Sequence, residues 1–165
     1  MDLRLAGKVA VVTGTSKGIG LTVTRALVSE GVSVIAAARD LSDGLSQLTI
    51  QGQVHPDGVD LGTPDGPARL IDEAVTVYGP PDILANNVGA LRPRIGGFLS
   101  LTDDDWPWGM TINFLAAVRT TRAALPHLLE RDSGTIVSTC SVNAVLPEPL
   151  VIDYGAAKAA LLHPP

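Results

Sequence analysis

The chain has 165 residues, 45% apolar and 18% charged, and 12 Lys+Arg against 17 Asp+Glu leave a formal net charge of −5. A core of ordinary size at this length needs no disulfide or structural metal, and a lone Cys140 with three scattered histidines (His55, His127, His163) supplies neither. An acidic balance without a basic block argues against nucleic acid or an anionic membrane as the main partner, and the longest apolar run, Val34 to Ala38, is far too short to span a bilayer, so a cytoplasmic protein is the default expectation.

Lys8 to Thr13 is a β-branched run that predicts a first strand, and Ile19 to Ser29 switches to helical spacing, with Ile19, Val23, Ala26 and Leu27 on one side. The alternation continues. Val32 to Ala38 predicts a buried strand, Ser42 to Leu48 a short helix, Gln53 to Val59 a strand, Asp65 to Tyr78 a helix and Asp82 to Asn86 a fourth strand. From Thr102, a candidate N-cap followed by three aspartates that suit the positive end of a helix, one long helix is predicted to about Glu130. Gly134 then breaks the pattern, and Thr135 to Thr139 gives a fifth strand. Alternating β and α elements imply a parallel sheet covered on both faces, in one domain without repeat or linker.

Between the first strand and helix lies Thr13-Gly14-Thr15-Ser16-Lys17-Gly18-Ile19-Gly20. Glycines at this spacing allow positive φ and let a pyrophosphate approach the backbone, while the next helix presents unpaired N–H groups and a partial positive charge. Gly14, Ser16, Lys17, Gly18, Ile19 and Gly20 are therefore candidate dinucleotide contacts. A carboxylate at the end of the second strand would select NAD, but this chain has Ala38 and then Arg39. Arg39 and Lys17 suit the 2′-phosphate of NADP, so NADP is expected over NAD; Asp40 stands beside Arg39 as a possible neutralising partner.

Tyr154 and Lys158 are four residues apart, on one face of a helix, where a cation favours the phenolate electrostatically and fits the tyrosine for acid/base work. Thirteen residues earlier, after the fifth strand, comes Ser141, whose hydroxyl suits the same substrate oxygen. Taken with the glycine turn, these residues resemble the short-chain dehydrogenase/reductase family. Asn86-Asn87-Val88-Gly89 is similar to that family's N-N-A-G segment, with Asn87 and Gly89 as cofactor-side residues. Asp60-Leu61 is similar to its adenine contact, and Asn113 falls where it keeps a fourth catalytic residue.

The resemblance implies a Rossmann-type doubly wound α/β fold of about five strands, forming one NAD(P)-binding domain over residues 1–165. It implies an NADP-dependent oxidoreductase that moves a hydride between the cofactor and a small carbonyl/alcohol substrate. Tyr154 would be the general acid/base, Lys158 would assist it and hold the nicotinamide ribose, Ser141 would orient the substrate oxygen, and Asn113 would anchor a water of the proton relay. Family members also pair through the long helix, which makes a homo-oligomer an expectation. Plainer roles stand beside these: Asp60 as a turn cap, Asn87 as a tie between strands, Ser141 as a cap, Asn113 as a surface amide, Cys140 as inert core, Trp106 and Trp108 as packing.

Two local departures and one of length qualify the match. Val88 replaces the usual alanine, and Asn143-Ala144 stands where Ala-Gly is commoner. The sequence stops seven residues after Lys158, with Pro164 and Pro165 expected to end the helix. By analogy the last strands and the substrate lid are missing, the fifth strand becomes an exposed apolar edge, and a catalytically silent fragment is the alternative reading.

Overall fold

In the computed structural model, which describes residues 3–50, 52–131 and 133–163, the run Val9–Thr13 forms β1 at the centre of a parallel sheet, with every residue buried. The other strands are β2 (Ser33–Ala38), β3 (Val54–Gly58), β4 (Ile83–Asn86) and β5 (Thr135–Ser138), in the order β3-β2-β1-β4-β5. Because side chains alternate along a strand, β1 feeds two cores. Val11 joins Ile35, Leu84, Leu70, Ile71 and Leu128 under helices α3 (Gly66–Val77) and α5 (Ala116–Glu130). Ala10 and Val12 join Val34, Val28, Leu45 and Leu48 under α1 (Gly18–Ser29) and α2 (Asp43–Thr49). Each of these aliphatic side chains larger than alanine contributes about 1.5–3 kcal/mol by leaving water.

The edges differ. β3 tolerates Pro56 because its outer side needs no ladder donor. Among the described residues β5 pairs with β4 alone and exposes Ile136 and Val137, the latter at 55%; an apolar cavity of about 290 Å³ opens beside it between α5 and α6 (Ile152–Leu162).

The predicted long helix is not continuous. It begins as α4 (Asp105–Met110), widens into a π turn at Thr111–Leu115 and resumes as α5. Thr102 is not its cap either: its N–H and hydroxyl both donate to the Asp105 carboxylate, and these bonds hold the Asp105 carboxyl below the usual carboxylate range. The remaining elements fall within a few residues of expectation, and Pro164 and Pro165 lie outside the described residues.

Candidate active site

The chain runs β1 to β2 to β3 on one side and returns to β4 on the other, so the sheet has a switch point beside β1, where open α/β sheets take their ligands. A cavity of about 460 Å³ lies there, beyond the carboxyl ends of the strands.

Its first wall is the glycine turn. Gly14 has φ +71°, and its N–H and that of Thr15 donate to the Ala37 carbonyl, locking the turn to the end of β2. A Cβ on Gly20 would come within 2.2 Å of the Gly14 carbonyl oxygen and 2.6 Å of Asn87 Nδ2, so only glycine fits. Gly18 has φ +58° and open space where a Cβ would be, the kind of cradle a phosphate approaching the backbone requires. Lys17 caps α1 in extended conformation without a side-chain bond, and the first turn holds no acid, so the positive helix end is uncompensated. Ser16 and Lys17 line the cavity, as does Ile19, which is 62% exposed. Arg39 is exposed at its rim, and among the described residues it forms no ion pair with Asp40, the possible neutralising partner.

Asp60 and Leu61 close the floor in different ways. Leu61 is buried in the core. Asp60 does cap a turn: its Oδ1 accepts from Gly62 N–H at 2.8 Å, and its carbonyl accepts from the Thr63 hydroxyl. Both residues nevertheless line the cavity.

Asn87 ties three elements together. Its Nδ2 donates to the carbonyls of Thr13 and Gly14 at 3.0 and 3.2 Å, and its Oδ1 accepts from Thr139 Oγ1 at 3.3 Å. Thr13 Oγ1 returns the favour by accepting from the N–H groups of Asn87 and Val88. Thr13 and Thr139 are not singled out by the sequence; a threonine at the carboxyl end of the first and of the fifth predicted strand is the available signal. Gly89 follows, where a Cβ would press on Asn113 Oδ1 at 3.1 Å and approach Lys158 Nζ at 3.5 Å.

The opposite wall carries the candidate chemistry. Tyr154 and Lys158 both face the cavity from α6, with Lys158 Nζ 6.0 Å from the centroid of the tyrosine ring. Lys158 is buried and donates to the Thr139 carbonyl at 2.8 Å. Burial pulls its pKa below the ordinary lysine range, the Cys140 sulfur opposing in part. Of three ammonium donors, two are left for a ligand.

Asn113 is no surface amide: it is 1% exposed in the π turn. Its Nδ2 donates to the carbonyls of Ala90 and Gly109, and its Oδ1 accepts from Ala90 N–H at 2.9 Å. The side chain is thereby spent on backbone and clamps the loop after β4 to the end of α4. Such π turns recur at functional sites because one extra residue re-aims a helix face.

Ser141 lies beside the cavity instead of in its wall, which Thr139 and Cys140 form in its place. Its Oγ accepts from Asn143 N–H at 3.2 Å and so retains a hydroxyl proton to donate. Cys140 is half-buried, its Sγ donating to the Lys158 carbonyl, so it belongs to the wall and not to a sealed core. Neither tryptophan lines the cavity; Trp108 stacks under the Arg92 guanidinium at 3.9 Å.

A family model described as short chain dehydrogenase matches residues 8–163. Among curated relatives, "Uncharacterized oxidoreductase YvrD" of Bacillus subtilis is 35% identical over 165 residues, which cover 98% of this chain and 62% of that protein. Among solved structures, L-sorbose reductase from Gluconobacter frateurii, complexed with NADPH and L-sorbose, superposes with a TM-score of 0.88 at 32% identity, covering 98% of this chain and 63% of that one. A short chain dehydrogenase/reductase from Burkholderia phymatum in complex with NAD gives 0.89 at 27% identity, covering 96% and 57%. The chain thus spans less than two thirds of each of these three proteins.

Proposed function

The chain belongs to the short-chain dehydrogenase family, and on that premise we propose that it is an NAD(P)-dependent oxidoreductase, preferring NADP, that interconverts a small carbonyl compound and its alcohol. The observation that carries this reading is one cavity with the glycine turn and bare N-terminus of α1 on one wall and Tyr154 and Lys158 on the other. The residues fit a dinucleotide: backbone donors and open space at Gly18 for the pyrophosphate, Ser16 and Lys17 beside them, Asp60 and Leu61 for the adenine end, and Arg39 with Lys17 for a 2′-phosphate. The sorbose reductase is complexed with NADPH, whereas the Burkholderia relative is in complex with NAD. The unpaired Arg39 is what favours NADP here.

When bound, the dinucleotide supplies or accepts the hydride. In the reducing direction Tyr154 Oη donates its proton to the carbonyl oxygen as the carbon becomes tetrahedral; in the oxidising direction the phenolate takes that proton back. The Ser141 hydroxyl, free to donate, hydrogen-bonds the same oxygen and orients it. Lys158 favours the phenolate and offers its two remaining donors to the ribose. Asn113 contributes by holding Ala90 and Gly109, which keeps Gly89 open beside Lys158. A catalytically silent fragment is the less favoured reading, since the glycine turn and Tyr154 with Lys158 line one cavity.

Two subsidiary readings go with the main one. A cytoplasmic location agrees with the finding that no helix among the described residues is long and apolar enough to cross a membrane. Pairing of copies through α5 agrees with exposed Leu125 and Leu129 on that helix, and sedimentation would test it. The main experiment is calorimetric titration of the protein with NADPH and NADH, followed by turnover of a ketone panel by the parent and Tyr154→Phe. Tighter NADPH binding and a loss of kcat of about 10²–10⁴ in Tyr154→Phe are expected; a fully active Tyr154→Phe would sink the mechanism.

A further inference from the structure

The residue before the candidate acid/base carries a buried charge that the mechanism leaves unused. Asp153 is 1% exposed, and its Oδ2 accepts from Arg94 Nη2 at 2.6 Å. The same guanidinium donates through Nη1 to Asp105 Oδ1 at 2.9 Å, and the Arg94 side chain is itself only 12% exposed. One arginine therefore bridges the loop after β4, the first turn of α4 and the first turn of α6. The main chain repeats the tie, because Arg94 N–H donates to the Leu150 carbonyl at 2.7 Å, just ahead of α6.

Asp153 also meets the other clamp of the site. A Cβ built on Gly109 would lie 3.2 Å from Asp153 Oδ2 and 3.3 Å from its Cβ, so α4 and α6 touch at this pair with no room between them. The carbonyl of that same Gly109 accepts from Asn113 Nδ2. A continuous path thus runs from Asn113 through Gly109 and Asp153 to the neighbouring Tyr154, pinned from outside by Arg94. Burying a carboxylate and a guanidinium is costly, and a merely cohesive contact would be made more cheaply by aliphatic side chains. A planar guanidinium shared between two carboxylates fixes orientation, which is what an acid/base residue on a short helix needs.

We propose that Arg94 and Asp153 form a positioning device that sets the first turn of α6, and with it Tyr154, against the loop after β4. The proposal rests on the reading of Tyr154 as the acid/base. Neither residue touches substrate or cofactor in this scheme; both act through Tyr154.

The chain has two tyrosines, so the test can be spectroscopic and carry its own control. Protein labelled with ¹³Cζ-tyrosine gives two resonances, and Tyr154→Phe assigns them. Tyr78 lies at the end of α3, away from the device, and serves as the reference. Two variants disturb the device without changing net charge. Arg94→Lys replaces the bridging fork with a point charge that cannot span both carboxylates, and Gly109→Ala presses directly on Asp153. In each, the Tyr154 resonance is expected to move by more than its linewidth while Tyr78 stays in place. With whichever ketone the parent reduces, kcat should fall at least tenfold, KM should change less than threefold, and NADPH affinity should hold within twofold. A Tyr154 resonance that superposes on the parent's in both variants overturns the proposal, as does an equal movement of Tyr78, which would mark general loosening. An active Tyr154→Phe, or a parent that reduces no ketone, would remove the acid/base reading while the resonances still decide whether the device positions Tyr154.

Discussion

On the wall formed by β1, α1 and β2, the cavity is shaped by backbone within one stretch of chain, and its demands are steric: Gly20 has no room for a single added carbon. On the facing wall, shape depends on side chains reaching across the sequence, 23 residues from Asn113 to Ala90 and 59 from Arg94 to Asp153. The first wall makes room by leaving atoms out. The second keeps its shape by pairing polar groups in the interior, where each unmade bond costs about 1–3 kcal/mol. Substitutions should therefore fail for different reasons on the two sides.

Gly20→Ala should have the largest effect, about 3 kcal/mol of stability together with loss of measurable NADPH binding, because the methyl collides with backbone and Asn87. Denaturant unfolding and calorimetry read both, and parent-like values would erase the distinction between the walls. Asn113→Ala should cost about 2 kcal/mol, since it strands the Ala90 N–H and two carbonyls at once. NADPH binding should survive in that variant while turnover drops, a separation that equilibrium binding beside initial rates would expose. Arg39→Ala removes an exposed charge and should weaken NADPH about tenfold while leaving NADH within twofold, the difference fading at high salt. Equal losses for both cofactors would remove Arg39 from the 2′-phosphate.

The smallest effect is one of pH. Burial lowers the Lys158 pKa in the folded chain below its ordinary value of 10.5. Between those two values the unfolded chain holds the extra proton, so stability rises with pH across that window and is lost as pH falls through the folded value. In Lys158→Met that slope should vanish. Unfolding curves collected from neutral pH to 10.5 would show the two proteins diverging in slope, and parallel pH profiles would mean the ammonium is less buried than the geometry implies.

The contrast between the walls also explains what the sequence disclosed. β1, the glycine turn and α1 are adjacent in the chain, and hydrophobic period and glycine spacing were enough to place them. Tyr154 and Lys158 share a helix face and were equally plain. Asn113 was visible as a position but not as a clamp, because its partners at Ala90 and Gly109 are backbone atoms that carry no residue-type signal. The π turn was hidden for the same reason: apolar spacing from Trp106 to Leu128 fits a helix, and a one-residue widening leaves composition unchanged. Arg94 and Asp153 went unremarked because two oppositely charged residues so far apart look like ordinary surface until the fold buries them. Thr102 misled in the other direction, its hydroxyl being drawn to Asp105 before it could cap.

The π turn at Thr111–Leu115 has one more implication, for helical phase. A residue advances an α-helix by about 100°, so a wide turn inserted between α4 and α5 sets the face of one against the other by a fixed rotation. That offset is what lets Gly109 meet Asp153 on α6 while Ala116, Ala124 and Leu128 meet the sheet. A single-residue deletion here would give a more regular helix and a less workable molecule, because it would turn Gly109 and Asn113 away from their partners while leaving the core intact. Tolerance to length change should thus be lowest in the part of the helix where hydrogen bonding is least regular.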